Sequence, residues 1–163
     1  MLKKYLLVFL ISMVPLIELR GAVPVGLSGL WGDPLPILPL YITCIIGNML
    51  PMPFIFFFAR KVLVWGSDKK FIGKFFTFCL EKGEKGGKKL QEKAGRGLYF
   101  ALFLFVGIPV PGTGAWTGTL AASLLDMDFK KSVIAVIAGV ILAGIIMGLA
   151  SAGVFGAVGA IFS

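Results

Sequence analysis

Long apolar segments without charged residues dominate the hydropathy pattern of this chain. Residues 35–59 and residues 133–162 contain no Asp, Glu, Lys or Arg. A helix needs about 20 apolar residues to cross the roughly 30 Å hydrocarbon core of a bilayer, so each segment is predicted to span a membrane. Pro51 and Pro53 predict a kink in the first segment, because each proline removes a helical hydrogen bond. The second segment is longer than the core, so we expect it to tilt, break or fold back.

Four shorter apolar pieces occur in two pairs, one pair before each long segment. They cover residues 5–17, 21–32, 98–111 and 115–125. Each piece is too short to cross a bilayer as a straight helix. A pair of this kind predicts either one broken span or a re-entrant hairpin, which enters and leaves on the same side.

The chain contains the same arrangement twice: two short apolar pieces followed by one long apolar segment. An offset of 93 residues lays Gly21 and Ala22 over Gly114 and Ala115. Two such units in opposite orientations form the inverted repeat of many transporters. We therefore predict an all-α integral membrane protein with one membrane domain, residues 1–163, built from two inverted repeats. Each repeat is expected to consist of a re-entrant helical hairpin followed by a transmembrane helix. The first repeat covers residues 1–63, a connecting segment residues 64–97, and the second repeat residues 98–163.

The positive charge is concentrated between the two predicted repeats. Eleven of the sixteen Lys and Arg residues lie within residues 60–96, together with four acidic residues. Such a block beside apolar segments indicates a cytoplasmic loop. Helical spacing of apolar residues over 68–80 predicts an amphipathic helix in the plane of the membrane, followed by a solvated linker over 81–97. No aromatic and basic face accompanies the charges, so we expect no nucleic-acid partner.

The charges near the other segments give conflicting evidence on orientation. Lys130 and Lys131, and the absence of Lys and Arg from residues 27–58, favour a first loop outside and a second hairpin that returns to the cytoplasm. Lys3 and Lys4 instead favour a cytoplasmic N-terminus. A cleaved leader is a less favoured interpretation of residues 1–17, because charged residues and not a small-residue cleavage site follow them.

Composition excludes several kinds of chemistry. Hydrophobic residues make up 58% of the 163 residues, more than one soluble core of this size can bury. The chain has no His, and its two cysteines lie in an apolar segment and in the basic loop. We therefore expect no metal site, no cofactor and no catalytic residues, and an intramembrane enzyme is the least favoured function.

Glu18 and Arg20 are the ionisable residues expected at membrane depth. Insertion scales place the cost of such a charge at a helix centre at about 2.5 to 3.5 kcal/mol, so something must compensate it. Gly21 and Pro24 directly after them predict a local helix break. In one interpretation the two charges pair with each other or with unwound backbone. In the other, Glu18 exchanges a proton and Arg20 holds an anionic group.

The run between the last two short pieces is rich in proline and glycine. Its candidate residues are Pro109, Pro111, Gly112, Thr113, Gly114, Trp116 and Thr117. It predicts either a plain hairpin tip or a substrate site, in which a half-helix starting near Thr113 receives an anion at its N-terminus. Asn48, in the first long segment, is a weaker candidate, because an intramembrane amide more often holds helices together.

Three motifs carry a resemblance to a known family. They are Glu18 to Pro24, Gly47 to Pro53, and Gly107 to Gly118. They resemble the family named putative small multi-drug export proteins, and this family is distantly similar to the DedA superfamily of bacterial membrane proteins. That similarity implies two opposed re-entrant hairpins and proton-linked transport or flipping of phosphorylated carrier lipids such as undecaprenyl phosphate.

The resemblance also implies roles for particular residues. Glu18 matches the acidic position of the DedA hairpins, and Arg20 matches an arginine of the first hairpin. The second hairpin departs from the DedA pattern, because residues 109–118 contain no arginine. Thr113, Thr117 and backbone N–H groups would then have to bind a lipid phosphate.

The predicted function is a small, proton-linked transporter or flippase of the bacterial cytoplasmic membrane, acting on an amphipathic or anionic substrate. Its expected partners are membrane lipids, the substrate and, on size alone, a second copy of the chain in a homodimer. A passive lipid scramblase and a membrane assembly factor that uses the basic loop as its contact surface are the alternatives.

Overall fold

The computed structural model describes residues 2–15, 17–71, 73–74, 77–78, 81, 97–110 and 113–162, except the side chains of residue 60 and of residues 154–162. Helices are the regular structure of this part of the chain. They are α1 (Leu2–Met13), α2 (Glu18–Leu27), α3 (Ile37–Met49), α4 (Met52–Ser67), α5 (Gly97–Gly107), α6 (Ala115–Leu124) and α7 (Phe129–Phe162). The prediction of an all-helical chain is confirmed for the described residues.

The first long apolar segment forms two consecutive helices. Within the described residues, Ile37–Ala59 is long and apolar enough to cross a membrane. The chain departs from regular helix at Leu50 and Pro51, between α3 and α4, where a kink was predicted. Pro51 has no N–H group to donate, which explains the position of the break. Helix α4 continues beyond this span and ends at Ser67.

The second long segment forms one continuous helix, α7. Its part Phe129–Gly153 meets the length and hydropathy of a membrane span. The predicted alternatives of a break or a fold-back are wrong for this helix, which runs unbroken over 34 residues. At about 1.5 Å per residue it is about 51 Å long, so it must tilt or extend beyond the hydrocarbon core.

Glycines of α7 allow neighbouring helices to approach closely. A Cβ atom on Gly139 would lie 2.8 Å from the carbonyl oxygen of Phe103 on α5. Around Gly144 the ring of Tyr41 packs against the helix, and its hydroxyl donates to the Gly144 carbonyl over 2.6 Å. Gly153, by contrast, has no atom within 4 Å of the position of a Cβ. Close packing therefore explains the first two of these glycines.

The first short pair forms the helices α1 and α2, with its break earlier than predicted. Helix α1 ends at Met13, and α2 begins at Glu18 and continues through Gly21 and Pro24. The predicted break after Arg20 is therefore wrong. Pro15 explains the shift, because a proline disfavours helical backbone in the residue before it.

The two open ends of the first pair lie together. Two glycines with positive φ, Gly29 at 65° and Gly32 at 100°, turn the chain after α2. The Lys4 ammonium group at the start of α1 donates to the carbonyl of Asp33 in this turn over 3.0 Å. The start of α1 and the end of the α2 turn are therefore on the same side of the molecule.

The two open ends of the second short pair also lie together. Helix α5 ends at Gly107 and α6 begins at Ala115, with the proline and glycine run between them. The Asp128 N–H group, just after α6, donates to the hydroxyl of Tyr99 near the start of α5 over 3.1 Å. The start of α5 and the end of α6 are therefore also close together.

Buried apolar side chains from several helices form one cluster between the two pairs and α7. Its largest fully buried members include Val8, Leu19, Val23, Leu40, Met52, Val106, Val136 and Val140. The predicted in-plane helix over 68–80 and the linker over 81–97 lie largely outside the described residues. The division into repeats stays a prediction.

Candidate functional site

The breaks within the two short pairs meet in the interior of the protein, and Glu18 makes the central contact. Its side chain is 4% exposed. Its Oε2 accepts the N–H of Ala115 and its Oε1 accepts the N–H of Trp116, each over 3.0 Å. The carboxylate therefore lies on the N-terminus of α6, 97 residues away in the sequence.

Physical chemistry favours a carboxylate at this place. The first N–H groups of a helix have no partner within the helix, and the helix dipole makes this end positive. The N-terminus predicted to receive an anion thus already binds a carboxyl group of the protein itself.

Gly114 makes room for the Glu18 carboxylate. Its backbone is extended, with φ of −176°, so its conformation does not require glycine. A Cβ atom at this position would lie 2.7 Å from Cδ and from Oε1 of Glu18, well inside van der Waals contact. The glycine is needed for space.

Glu18 also adopts an unusual backbone conformation. Its φ is 51°, in the left-handed region that residues with a side chain rarely adopt. Left-handed backbone costs about 1 to 2 kcal/mol for an ordinary residue. Such strain persists only where surrounding contacts hold it in place, and it is frequent at functional sites.

Arg20 binds the other side of the second break. Its Nη1 donates to the carbonyl of Val110 over 2.7 Å, and its Nη2 donates to the carbonyls of Val106 and Ile108 over 3.0 and 3.1 Å. These carbonyls lie at and just beyond the C-terminal end of α5. That end carries the negative pole of the helix dipole, so a guanidinium group complements it.

Glu18 and Arg20 belong to the first pair and bind the second, whereas Trp116 belongs to the second pair and binds the first. The indole Nε1 of Trp116 donates to the carbonyl of Met13, the last residue of α1, over 3.1 Å. Side chains of each pair therefore satisfy backbone groups that the break in the other pair leaves unpaired. This geometry matches the first interpretation of Glu18 and Arg20, in which unwound backbone compensates the charges.

The hydroxyl groups of the proline and glycine run are engaged within the run. The Thr113 hydroxyl donates to the carbonyls of Ile108 and Val110 over 3.0 and 2.8 Å. The Thr117 hydroxyl accepts the N–H of Gly114 over 2.9 Å. They therefore shape the tip. Of the other predicted residues, Pro109 lies between the carbonyls that Arg20 binds, and Pro111 and Gly112 lie outside the described residues.

A partly open cavity of about 460 Å³ lies beside the Glu18 carboxylate. Its lining consists of Pro15, Glu18, Phe54, Ile55, Phe58, Ala59, Val62, Leu63, Thr113, Gly114, Trp116, Thr117 and Leu120. Helices α4 and α6 form its walls, and a hydrogen bond of 2.6 Å from the Ser123 hydroxyl to the Phe56 carbonyl joins them. The cavity is apolar except where Glu18 and the two threonines face it.

The α4 wall was not identified from the sequence. Phe54 and Phe58 lie in a run of aromatic residues whose hydropathy predicts only that it is part of a span. Their position directly after Pro51 and Pro53 was the available signal, because a helix break in a membrane often borders a site.

Asn48 does not belong to this cavity. Its side chain is 3% exposed, and its Oδ1 has no hydrogen-bond partner among the described residues. Asn48 is not among the residues that line the cavity beside Glu18.

Comparison with known protein families gives a match over most of the chain. The model of a family described as "putative small multi-drug export protein" matches residues 18–146, which is 129 of the 163 residues and includes Glu18, Arg20 and the whole second break. No curated protein and no solved structure matches the chain significantly.

Proposed function

The chain belongs to the family of putative small multi-drug export proteins, and on this premise we propose that it is a proton-linked exporter of amphipathic compounds. The observation that carries the proposal is the position of Glu18. One carboxylate both lines an apolar cavity large enough for a small organic molecule and holds the N-terminus of α6. A proton or a substrate that reaches this carboxylate therefore acts on the contact between the two breaks.

Protonation of Glu18 would weaken this contact for two reasons. It removes the negative charge that the helix N-terminus attracts, and it converts one acceptor oxygen into a donor. The N–H groups of Ala115 and Trp116 would then lose part of their compensation. Proton binding and release at Glu18 would thus favour two different positions of α6, which is what alternating access requires.

We further propose that the two short pairs are opposed re-entrant hairpins in an inverted repeat. Helices of 10 to 12 residues are about 15 to 18 Å long, roughly half of the hydrocarbon core. The contact of Lys4 with Asp33 joins the ends of the first pair, and the contact of Asp128 with Tyr99 joins those of the second. Both tips meet at Glu18, as opposed hairpins require.

Cysteine accessibility in intact cells tests this topology. Single cysteines at positions 2, 33, 85, 128 and 163, on a background without Cys44 and Cys79, are labelled with a membrane-impermeant maleimide. We expect positions 2, 33 and 163 to react from outside, and positions 85 and 128 only after the cells are opened. Reaction of position 128 from outside would contradict the inverted repeat.

Proton movement in proteoliposomes tests the transport proposal. The purified protein is reconstituted with a pH-sensitive dye inside the vesicles, and a cationic, a neutral and an anionic amphiphile are added in turn under a pH gradient. We expect at least one of them to change the internal pH faster than in protein-free vesicles. Absence of such a change for all three compounds would contradict proton-linked export.

The same preparation separates the two alternatives. A passive lipid scramblase would move labelled lipid at an equal rate after the gradient is collapsed. An assembly factor would move neither lipid nor drug, and its activity in cells would depend on the lysines of the basic loop. The bacterial cytoplasmic membrane as location and a homodimer as assembly stay predictions.

A further inference from the structure

We infer that the cavity selects organic cations over anions of the same size and hydrophobicity, an inference that rests on the proposed function. A quaternary or protonated amine, or a phosphonium ion, with apolar groups is the expected substrate class. Three features of the described lining support this selectivity. They are an acceptor with spare capacity, donors that are already engaged, and aromatic walls.

The acceptor is the Glu18 carboxylate. A carboxylate has about four lone-pair positions on its two oxygens. The N–H groups of Ala115 and Trp116 use one on each oxygen, and both bonds come from the α6 side. Glu18 also lines the cavity, although only 4% of the residue is exposed. A bound cation that approaches the carboxylate from the cavity would therefore meet its negative charge and the acceptor positions that α6 does not use.

The side-chain donors of the described lining already have acceptors. The Thr113 hydroxyl donates to the carbonyl of Val110, and the Thr117 hydroxyl lies 3.4 Å from the Gly114 carbonyl. The Trp116 indole donates to Met13. An anionic headgroup in the cavity would therefore lose its hydration without gaining these donors, which is unfavourable in apolar surroundings.

The cation nearest in sequence does not compensate for this lack of donors. Arg20 is not among the residues that line the cavity, and its guanidinium group binds three carbonyls at the end of α5. An anion would therefore face the Glu18 charge without a cationic partner from the described lining. A phosphorylated carrier lipid, whose headgroup is anionic, is disfavoured as the occupant of this cavity.

Aromatic residues form the part of the wall that would hold the apolar groups of a cation. Phe54 and Phe58 lie on α4 and Trp116 on α6. Aromatic faces attract cations, most strongly where water is excluded, and their large apolar area also packs against apolar substituents. The combination of one carboxylate with several aromatic rings suits a lipophilic cation.

Tetraphenylphosphonium and tetraphenylborate provide a direct test, because the two ions have nearly the same shape and opposite charge. Equilibrium dialysis of each labelled ion against the full-length protein in a neutral detergent measures binding. We expect tetraphenylphosphonium to bind at least about tenfold more tightly than tetraphenylborate. We also expect its binding to weaken as the pH is lowered, because a proton then competes for Glu18.

Two variants locate the binding site. Glu18→Gln should weaken tetraphenylphosphonium binding by about tenfold or more. Asp33→Asn, which removes a carboxylate from an exposed turn, should leave it unchanged. If Glu18→Gln does not fold, Phe58→Leu replaces it, because loss of the aromatic face should weaken binding of the cation and spare the fold.

Equal binding of the two ions, or cation binding that does not depend on pH, would overturn the inference. The proposed function fails under a different result, namely the absence of proton movement with every amphiphile in the vesicle assay. Proton movement driven by the neutral or the anionic amphiphile alone would retain proton-linked export and reject cation selectivity.

Discussion

Glu18→Gln is expected to abolish substrate-driven proton movement in proteoliposomes. Glutamine has nearly the same size as glutamate but cannot bind and release a proton. In the structure the Glu18 carboxylate lines the cavity and accepts two N–H groups of α6. Loss of the exchangeable proton therefore removes the step that would link substrate binding to the position of α6. The measurement is the initial rate of internal pH change, which should fall to that of protein-free vesicles.

The stability of the same variant shows whether the loss of transport is specific. The amide oxygen of the substituted side chain can still accept one N–H group of α6, whereas its NH₂ group would face the other. We expect the free energy of unfolding to fall by about 0.5 to 2 kcal/mol, the usual effect of losing the side chain that caps a helix N-terminus. The variant should therefore still fold. Asp33→Asn is the matched control and should retain wild-type rates. Retained proton movement by Glu18→Gln across the pH range would exclude Glu18 as the proton site.

Arg20→Met is expected to have the largest effect on stability. Methionine has a similar length and suits apolar surroundings, but it has no donors for the three carbonyls that Arg20 binds. Hydrogen bonds to charged groups each contribute about 1.5 to 3 kcal/mol, and two of the three are at exposed positions. We therefore expect the free energy of unfolding to fall by about 2 to 4 kcal/mol in total.

Denaturation in detergent, followed by circular dichroism, measures this effect. Lys3→Met removes an exposed cation at the start of α1 and should change the stability little. Arg20→Lys should give an intermediate loss, because an ammonium group lacks the planar fork that reaches several acceptors at once. Wild-type stability of Arg20→Met would show that these hydrogen bonds do not hold the second break.

The two predictions differ because the two charges have different surroundings. Glu18 lies between the cavity and a helix end, so a change in its charge has consequences on both sides. Arg20 lies at a helix end outside the cavity lining, and its guanidinium group donates hydrogen bonds to carbonyls at that end. The proton site at Glu18 stays a proposal, and an anion anchor at Arg20 would require the guanidinium to leave its three carbonyls.

The sequence by itself determined the number and kind of long segments. A long apolar segment without charged residues predicts a membrane span, because the thickness of the bilayer sets how many apolar residues are needed to cross it. It also located the interruption of the helix near Pro51, since the missing N–H is a property of the residue itself. The cost of a charge at membrane depth likewise identified Glu18 and Arg20 as residues that must have partners.

Only the tertiary structure decided what those partners are. Glu18 reaches N–H groups 97 and 98 residues away, and Arg20 reaches carbonyls 86 to 90 residues away. Local pattern does not specify which helix end meets which side chain, because that depends on how the two pairs pack against α7. The same packing brings Phe54 and Phe58 beside Glu18 and so forms the cavity. The sequence thus determined which groups need compensation, and long-range packing determined which groups provide it.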